Sequence, residues 1–133
     1  MHGFRRFSLA TTLFALLGTL WHPVCLAADE AIVARIEAME AGFPVQVLGS
    51  RLMAHQALSA FYGANGYQPA WKSAELRRQL IDSVEQASHD GLNPADYHAD
   101  ILSGLALRPM NDFSEDLRAD LDLLFSDAFL MLF

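Results

Sequence analysis

Lysine is nearly missing from this chain of 133 residues: Lys72 stands alone, and nine basic residues in all face sixteen acids, for a formal charge of −7. Binding to nucleic acid needs a basic face that neutralises phosphates, and no stretch of the sequence supplies one. Cysteine is as scarce. Cys25 is the single thiol, so a disulfide within the chain is excluded. Low-complexity tracts are absent, and 53% apolar against 19% charged residues argues against disorder and for one domain with a real core. Nor is there an HExxH pair, a calcium loop, a glycine-rich phosphate loop or a GxSxG elbow. No catalytic residue, no metal site and no cofactor is expected.

The first apolar run is too short to stay in a membrane. Phe7 to Leu20 carries no charge, but a span needs about 20 apolar residues, and here Gly18, Thr19 and Pro23 intervene. Arg5 and Arg6 before the run, with small residues at Cys25 and Ala27 after it, make residues 1–27 a secretory signal peptide, cut so that Ala28 becomes the amino terminus. His22 and Val24 do not suit lipidation of Cys25, and Ser8 does not suit twin-arginine export, so the general secretory route is expected. Cleavage leaves no membrane anchor and removes the only cysteine nucleophile. Seven basic residues then face sixteen acids, a charge of −9.

Residues 28–133 read as a mainly α domain of four to five helices with a short β-hairpin near residues 44–53. Asp29 to Glu40 places Ile32, Ile36 and Met39 at helical spacing, and Gly42 ends the run. Pro44 to Leu48 alternates apolar and polar before the Gly49-Ser50 turn. Helical pattern resumes from Ala54 to Ala64 and closes at Asn65-Gly66. Ser73 caps a helix from Ala74 to about His89, with Leu76, Leu80, Val84 and Ala87 on one face and Arg77 elsewhere. Asn93-Pro94 starts a helix running towards Leu107, and Ser114 caps a last one through Leu117, Leu121, Leu124 and Ala128. That last helix is apolar on nearly all sides from Leu121 to Phe133, which implies burial on several sides. Its covering elements are expected to lie in further sequence, the domain being C-terminally incomplete.

Three constellations invite chemistry and point to structure instead. His55, His89 and His98 with Asp90, Asp96 and Asp100 do not converge as ligands would: Asp96 and Asp100 share a helical face that His98 does not. Ser88-His89-Asp90-Gly91 holds the residue types of a hydrolytic triad, but triad members meet from separate elements, and this segment reads as a helix end. Phe61, Tyr62, Tyr67 and Trp71 could stack on sugar; a loop pinned to the core by large rings is the better reading.

Three blocks in order carry a resemblance: Phe61-Tyr62 with Asn65 to Trp71, Asp90 to His98, and Leu121 to Phe129. They are similar to the patterns FY..RGY.PAW, DGL.P.DYH and LD.LLTDAF of the N-terminal scaffold region of the large murein L,D-transpeptidases of Gram-negative bacteria. The resemblance implies a structural role for Tyr62, Gly66, Tyr67, Pro69, Trp71, Asp90, Gly91, Leu92, Pro94, Tyr97 and Asp127. It also implies a periplasmic location, downstream peptidoglycan-binding and catalytic domains as partners in the same parent protein, and peptidoglycan as a further partner. In that family a cysteine in a Ser-His-Gly-Cys motif performs the transfer. Here Ser88-His89 is followed by Asp90-Gly91, so the chain alone is expected to be inactive. A free-standing secreted helical adaptor is the alternative, and a small exported hydrolase a distant third.

Overall fold

The computed structural model describes residues 27–133, so all of the expected leader but Ala27 lies outside the described residues. Five α-helices and one small hairpin make up the domain. Helix α1 (Glu30–Glu40) begins where the Asp29 carboxylate accepts the Ile32 amide, and it buries Ile32, Ile36 and Met39. It closes in a Schellman turn: Gly42 takes a left-handed φ of +83°, its N–H reaches the Met39 carbonyl, and the Phe43 N–H reaches Ala38.

Strands β1 (Gln46–Val47) and β2 (Ser50–Arg51) pair antiparallel, with Gln46 opposite Arg51 and Val47 opposite Ser50. Leu48 and Gly49 between them both have positive φ, the backbone that a two-residue turn needs to match the twist of its strands. Helix α2 (His55–Ala64) follows and is closed by left-handed Gly66 and Tyr67.

Helix α3 (Ala74–Gln86) is capped by Ser73, then tightens into a 3₁₀ turn, Ala87–Asp90, that left-handed Gly91 terminates. Its inner face is the expected one at Leu80, Val84 and Ala87, but not at its start. Leu76 is 49% exposed, and Arg77, at 1%, is buried beside Leu80, Ile81 and Val84. The expected single helix from Pro94 towards Leu107 is also corrected. A 3₁₀ turn, Pro94–Tyr97, is broken from helix α4 (Ala99–Leu105) by His98, held left-handed at φ +60°. Asp96 and Asp100 therefore do not share a helical face.

Helix α5 (Glu115–Leu132), capped by Ser114, is the hub. It touches α1, α2, α3, α4, β1 and the Pro94–Tyr97 turn. Every residue from Leu121 to Ala128 is buried. The elements of this domain thus cover α5 through Ala128, more than its apolar surface suggests, and exposure returns only at Phe129 (37%) and Phe133 (80%). Arg35 of α1 fixes the flank of α5 by donating to Asp120 and Asp116. Among the described residues no helix is long and apolar enough to cross a membrane.

Candidate functional site

Three polar side chains on the buried stretch of α5 organise the interior. Asp122 and Ser126 lie one helical turn apart and so share a face, while Asp127 points to another. Asp122, only 1% exposed, accepts from three donors: Tyr62 Oη at 2.6 Å and the Ala70 N–H at 3.0 Å on Oδ1, and the Trp71 N–H at 2.9 Å on Oδ2. Tyr62 has one proton and gives it to the carboxylate. The Ser126 hydroxyl, 2.7 Å from Tyr62 Oη, therefore donates to it and accepts from Trp71 Nε1 at 2.9 Å. Two rings and one loop are thus fixed by two side chains. Trp71 also stacks on Phe125, with ring centroids 5.6 Å apart.

Burial pushes the Asp122 carboxyl above the ordinary carboxylate value, opposed by the Ala70, Tyr62 and Trp71 donors. Burial, followed by the charge of Asp122, drives the Tyr62 hydroxyl far above its ordinary value, so it stays a donor. Arg77 answers Asp122 from the other side of the loop. Its guanidinium donates to the carbonyls of Trp71 at 2.6 Å, Lys72 at 2.9 Å, Ala106 at 2.9 Å and Arg108 at 3.3 Å. Burial lowers its pKa, and the charge of Asp122 opposes that shift. The segment 70–72 is held by its amides on a buried anion and by its carbonyls on a buried cation.

Asp127 joins two more segments. Its carboxylate takes the Met53 and Ala54 amides, the latter at 2.7 Å, where the chain enters α2 and Ala54 offers no capping side chain. It also takes Nε2–H of His98 at 2.7 Å, across from the left-handed corner before α4. A non-glycine residue in that conformation costs about 1–2 kcal/mol, and this bond to a buried carboxylate helps to hold it. Among the described residues no buried side-chain nitrogen or oxygen lacks a partner.

Of the residues that the three blocks single out, Tyr62, Trp71 and Asp127 enter this network directly. Tyr97 is buried beside His98, and Pro94 opens the turn that delivers it. Gly66 and Tyr67 supply the left-handed backbone before the clamped loop, and Pro69 lies within it. Gly91 supplies the turn after α3, while Asp90 and Leu92 are exposed and touch none of the buried polar groups described. Asp122, Ser126 and Arg77 were not singled out, and His98 was weighed only as a metal ligand. The signal for the first two was three polar residues, 122, 126 and 127, in an otherwise apolar helix.

The other constellations dissolve. His55 bonds the Leu52 carbonyl, His89 is exposed and His98 pairs with Asp127. Among the described residues no cluster of three or more His, Cys, Asp or Glu could hold a metal. Ser88 donates to the Glu85 carbonyl in the turn after α3.

Beside the network a cleft of about 630 Å³ opens between the start of α1, the clamped loop, the 3₁₀ turn Met110–Asp112 and the first half of α5. Buried Asp122 and the bases Lys72 and Arg118 are among the residues that line it. A family model described as a scaffold domain matches residues 56–133, a stretch that includes all three blocks. No curated protein and no solved structure gives a significant match.

Proposed function

The chain belongs to the scaffold-domain family, and from that premise we propose that it is the non-catalytic scaffold portion of an exported L,D-transpeptidase, contributing to peptidoglycan cross-linking. The acyl transfer would be performed by a catalytic domain of the same parent, beside a peptidoglycan-binding domain. The observation that carries this reading is the use made of the block residues. Tyr62, Trp71, Asp122, Ser126 and Asp127 are buried and saturated by one another and by backbone amides, which serves the holding of loops rather than the attack on a substrate.

The test has two arms. Purified residues 28–133 should release no product from tetrapeptide muropeptides, and the parent reading frame should encode Ser-His-Gly-Cys. Turnover by the isolated domain, or a parent without that motif, would overturn the assignment. Export by the N-terminal leader is tested by sequencing the amino terminus of the periplasmic protein, where Ala28 is expected. The free-standing adaptor keeps a place as second reading because the domain covers α5 through Ala128 from its own elements. Detection in the periplasm of a stable protein of this size would favour it.

A further inference from the structure

Asn65 and Gly66, where α2 closes, are the one Asn-Gly pair of the sequence. Both residues are exposed, and a Cβ on Gly66 would meet nothing within 4 Å, so water reaches the peptide between them. A glycine nitrogen has no side chain beside it to block its approach to the carboxamide of the residue before it, and its backbone turns freely. The other two asparagines lack this arrangement. Asn93 precedes Pro94, whose nitrogen has no hydrogen to lose, and Asn111 precedes Asp112, whose side chain hinders the same approach.

The native turn holds this pair back from reaction. Asn65 has a ψ of 4°, which sets the Gly66 nitrogen over the Asn65 nitrogen, a third of a turn away from Cβ, where ring closure needs it. Asn65 Nδ2 donates to the Gln68 carbonyl at 2.7 Å, and the Gly66 N–H donates to the Gly63 carbonyl at 3.4 Å. The Gln68 N–H reaches the Asn65 carbonyl, also at 3.4 Å. These holds are exposed and two of them are long, and helix ends of that kind open locally without global unfolding.

We propose that Asn65 is a site of spontaneous deamidation, gated by local opening at the end of α2, and that its product loosens the clamped loop. In the open state the Gly66 nitrogen gives up its proton and attacks Asn65 Cγ. The Cγ–Nδ2 bond breaks, ammonia leaves with that proton, and a five-membered imide remains. Water then opens the imide at Cγ, restoring the ordinary backbone with an aspartyl side chain, or at the main-chain carbonyl, leaving an isoaspartyl link. Either product replaces a donor by an anion. In the aspartyl form it faces the Gln68 carbonyl, acceptor against acceptor, at the negative end of α2, whose last turn carries no basic residue. The isoaspartyl form adds a methylene to the main chain between the Tyr62 carbonyl and the Tyr67 N–H that bonds it at 2.8 Å. Tyr67 leads directly into the segment that Asp122 holds by the amides of Ala70 and Trp71, so the change is passed to the clamp.

The experiment keeps the purified protein for weeks at pH 7.4 and 37 °C, folded in buffer or unfolded in concentrated urea, and maps its peptides by mass. A protein-isoaspartyl methyltransferase with a labelled methyl donor counts the isoaspartyl product. In the folded protein Asn65 should gain one mass unit ahead of Asn93 and Asn111, at a rate about tenfold or more below that in urea. Asn65→Gln, which must close a larger ring, should stop the gain at this position. Asn65→Asp stands for the aspartyl product and should lower the urea midpoint read from Trp71 emission, further than Asn65→Ala, which loses the donor and gains no charge. Asn65 left intact in the folded protein while it converts in urea overturns the site. Equal rates in the two conditions overturn the gating, and a wild-type midpoint for Asn65→Asp overturns the coupling to the clamp.

Discussion

Replacing Asp122 by alanine removes the acceptor for three donors at once: Tyr62 Oη, the Ala70 N–H and the Trp71 N–H. Each buried donor left unsatisfied costs about 1–3 kcal/mol, and the buried guanidinium of Arg77 loses the opposing charge of Asp122. Such losses share one network and do not add fully, and breaking a buried charged cluster from one side costs about 3–5 kcal/mol. Domains of this size hold about 5–15 kcal/mol in total and shift by roughly 4–8 °C per kcal/mol, so Asp122→Ala should lower Tm by roughly 15–30 °C. Asp122→Asn separates shape from charge. Its oxygen can keep Tyr62 and Ala70, but its amide then faces the Trp71 N–H, donor against donor, at a cost of about 1–3 kcal/mol. Urea unfolding of residues 28–133 measures both, because Trp71 is the only tryptophan after Trp21 and its emission reports on the clamp itself. If Asp122→Ala unfolds within 1 kcal/mol of the wild type, the carboxylate does not hold the loop and the reasoning fails.

The pH dependence follows from the direction of the Asp122 shift. Burial keeps its folded carboxyl above the unfolded value of about 3.9, so its contribution to stability falls as pH rises from there through the folded pKa and then levels off. The advantage of the wild type over Asp122→Asn should be larger at pH 4 than at pH 7, and an advantage that shrinks on acidification would show that the three donors outweigh burial. At His98 the backbone and the side chain make opposite demands. His98→Ala loses the bond to Asp127 and keeps the left-handed penalty, whereas His98→Gly loses the bond but relieves about 1 kcal/mol of strain. Glycine should be the milder change in denaturant titrations, and equal losses would mean that the corner is not strained.

Much of the fold was legible because local rules and the tertiary structure agree. Asp29, Ser73, Asn93 and Ser114 cap the elements they precede, and Gly42, Gly66 and Gly91 sit where the chain reverses hand. The misreadings share a cause. Periodicity classes arginine as solvent-facing, yet Arg77 is long enough to find four carbonyls from within the core. A proline after asparagine signals the start of a helix, but nothing near residue 94 announces that Asp127, distant in sequence, holds His98 in a conformation that ends it. The same limit hid the network: Asp122 and Ser126 stand as polar residues in an apolar helix, while their partners Tyr62, Ala70 and Trp71 lie in segments that only the folded chain brings near.

The placement of these anchors has a consequence for the order of folding. The bonds from Asp122 and Asp127 of α5 back to Met53, Ala54, Tyr62, Ala70 and Trp71 span 51 to 74 residues, and in each of them the acceptor stands on the later element. A chain that emerges amino end first exposes the amides of Met53, Ala54, Ala70 and Trp71 and the hydroxyl of Tyr62 well before Asp122 and Asp127 arrive. Until then water is their only partner, and loops of that length must close before any of these contacts gives a return. Residues 28–114 thus lack these anchors until one helix arrives. A sequence built this way completes its core late, when α5 joins the elements that precede it.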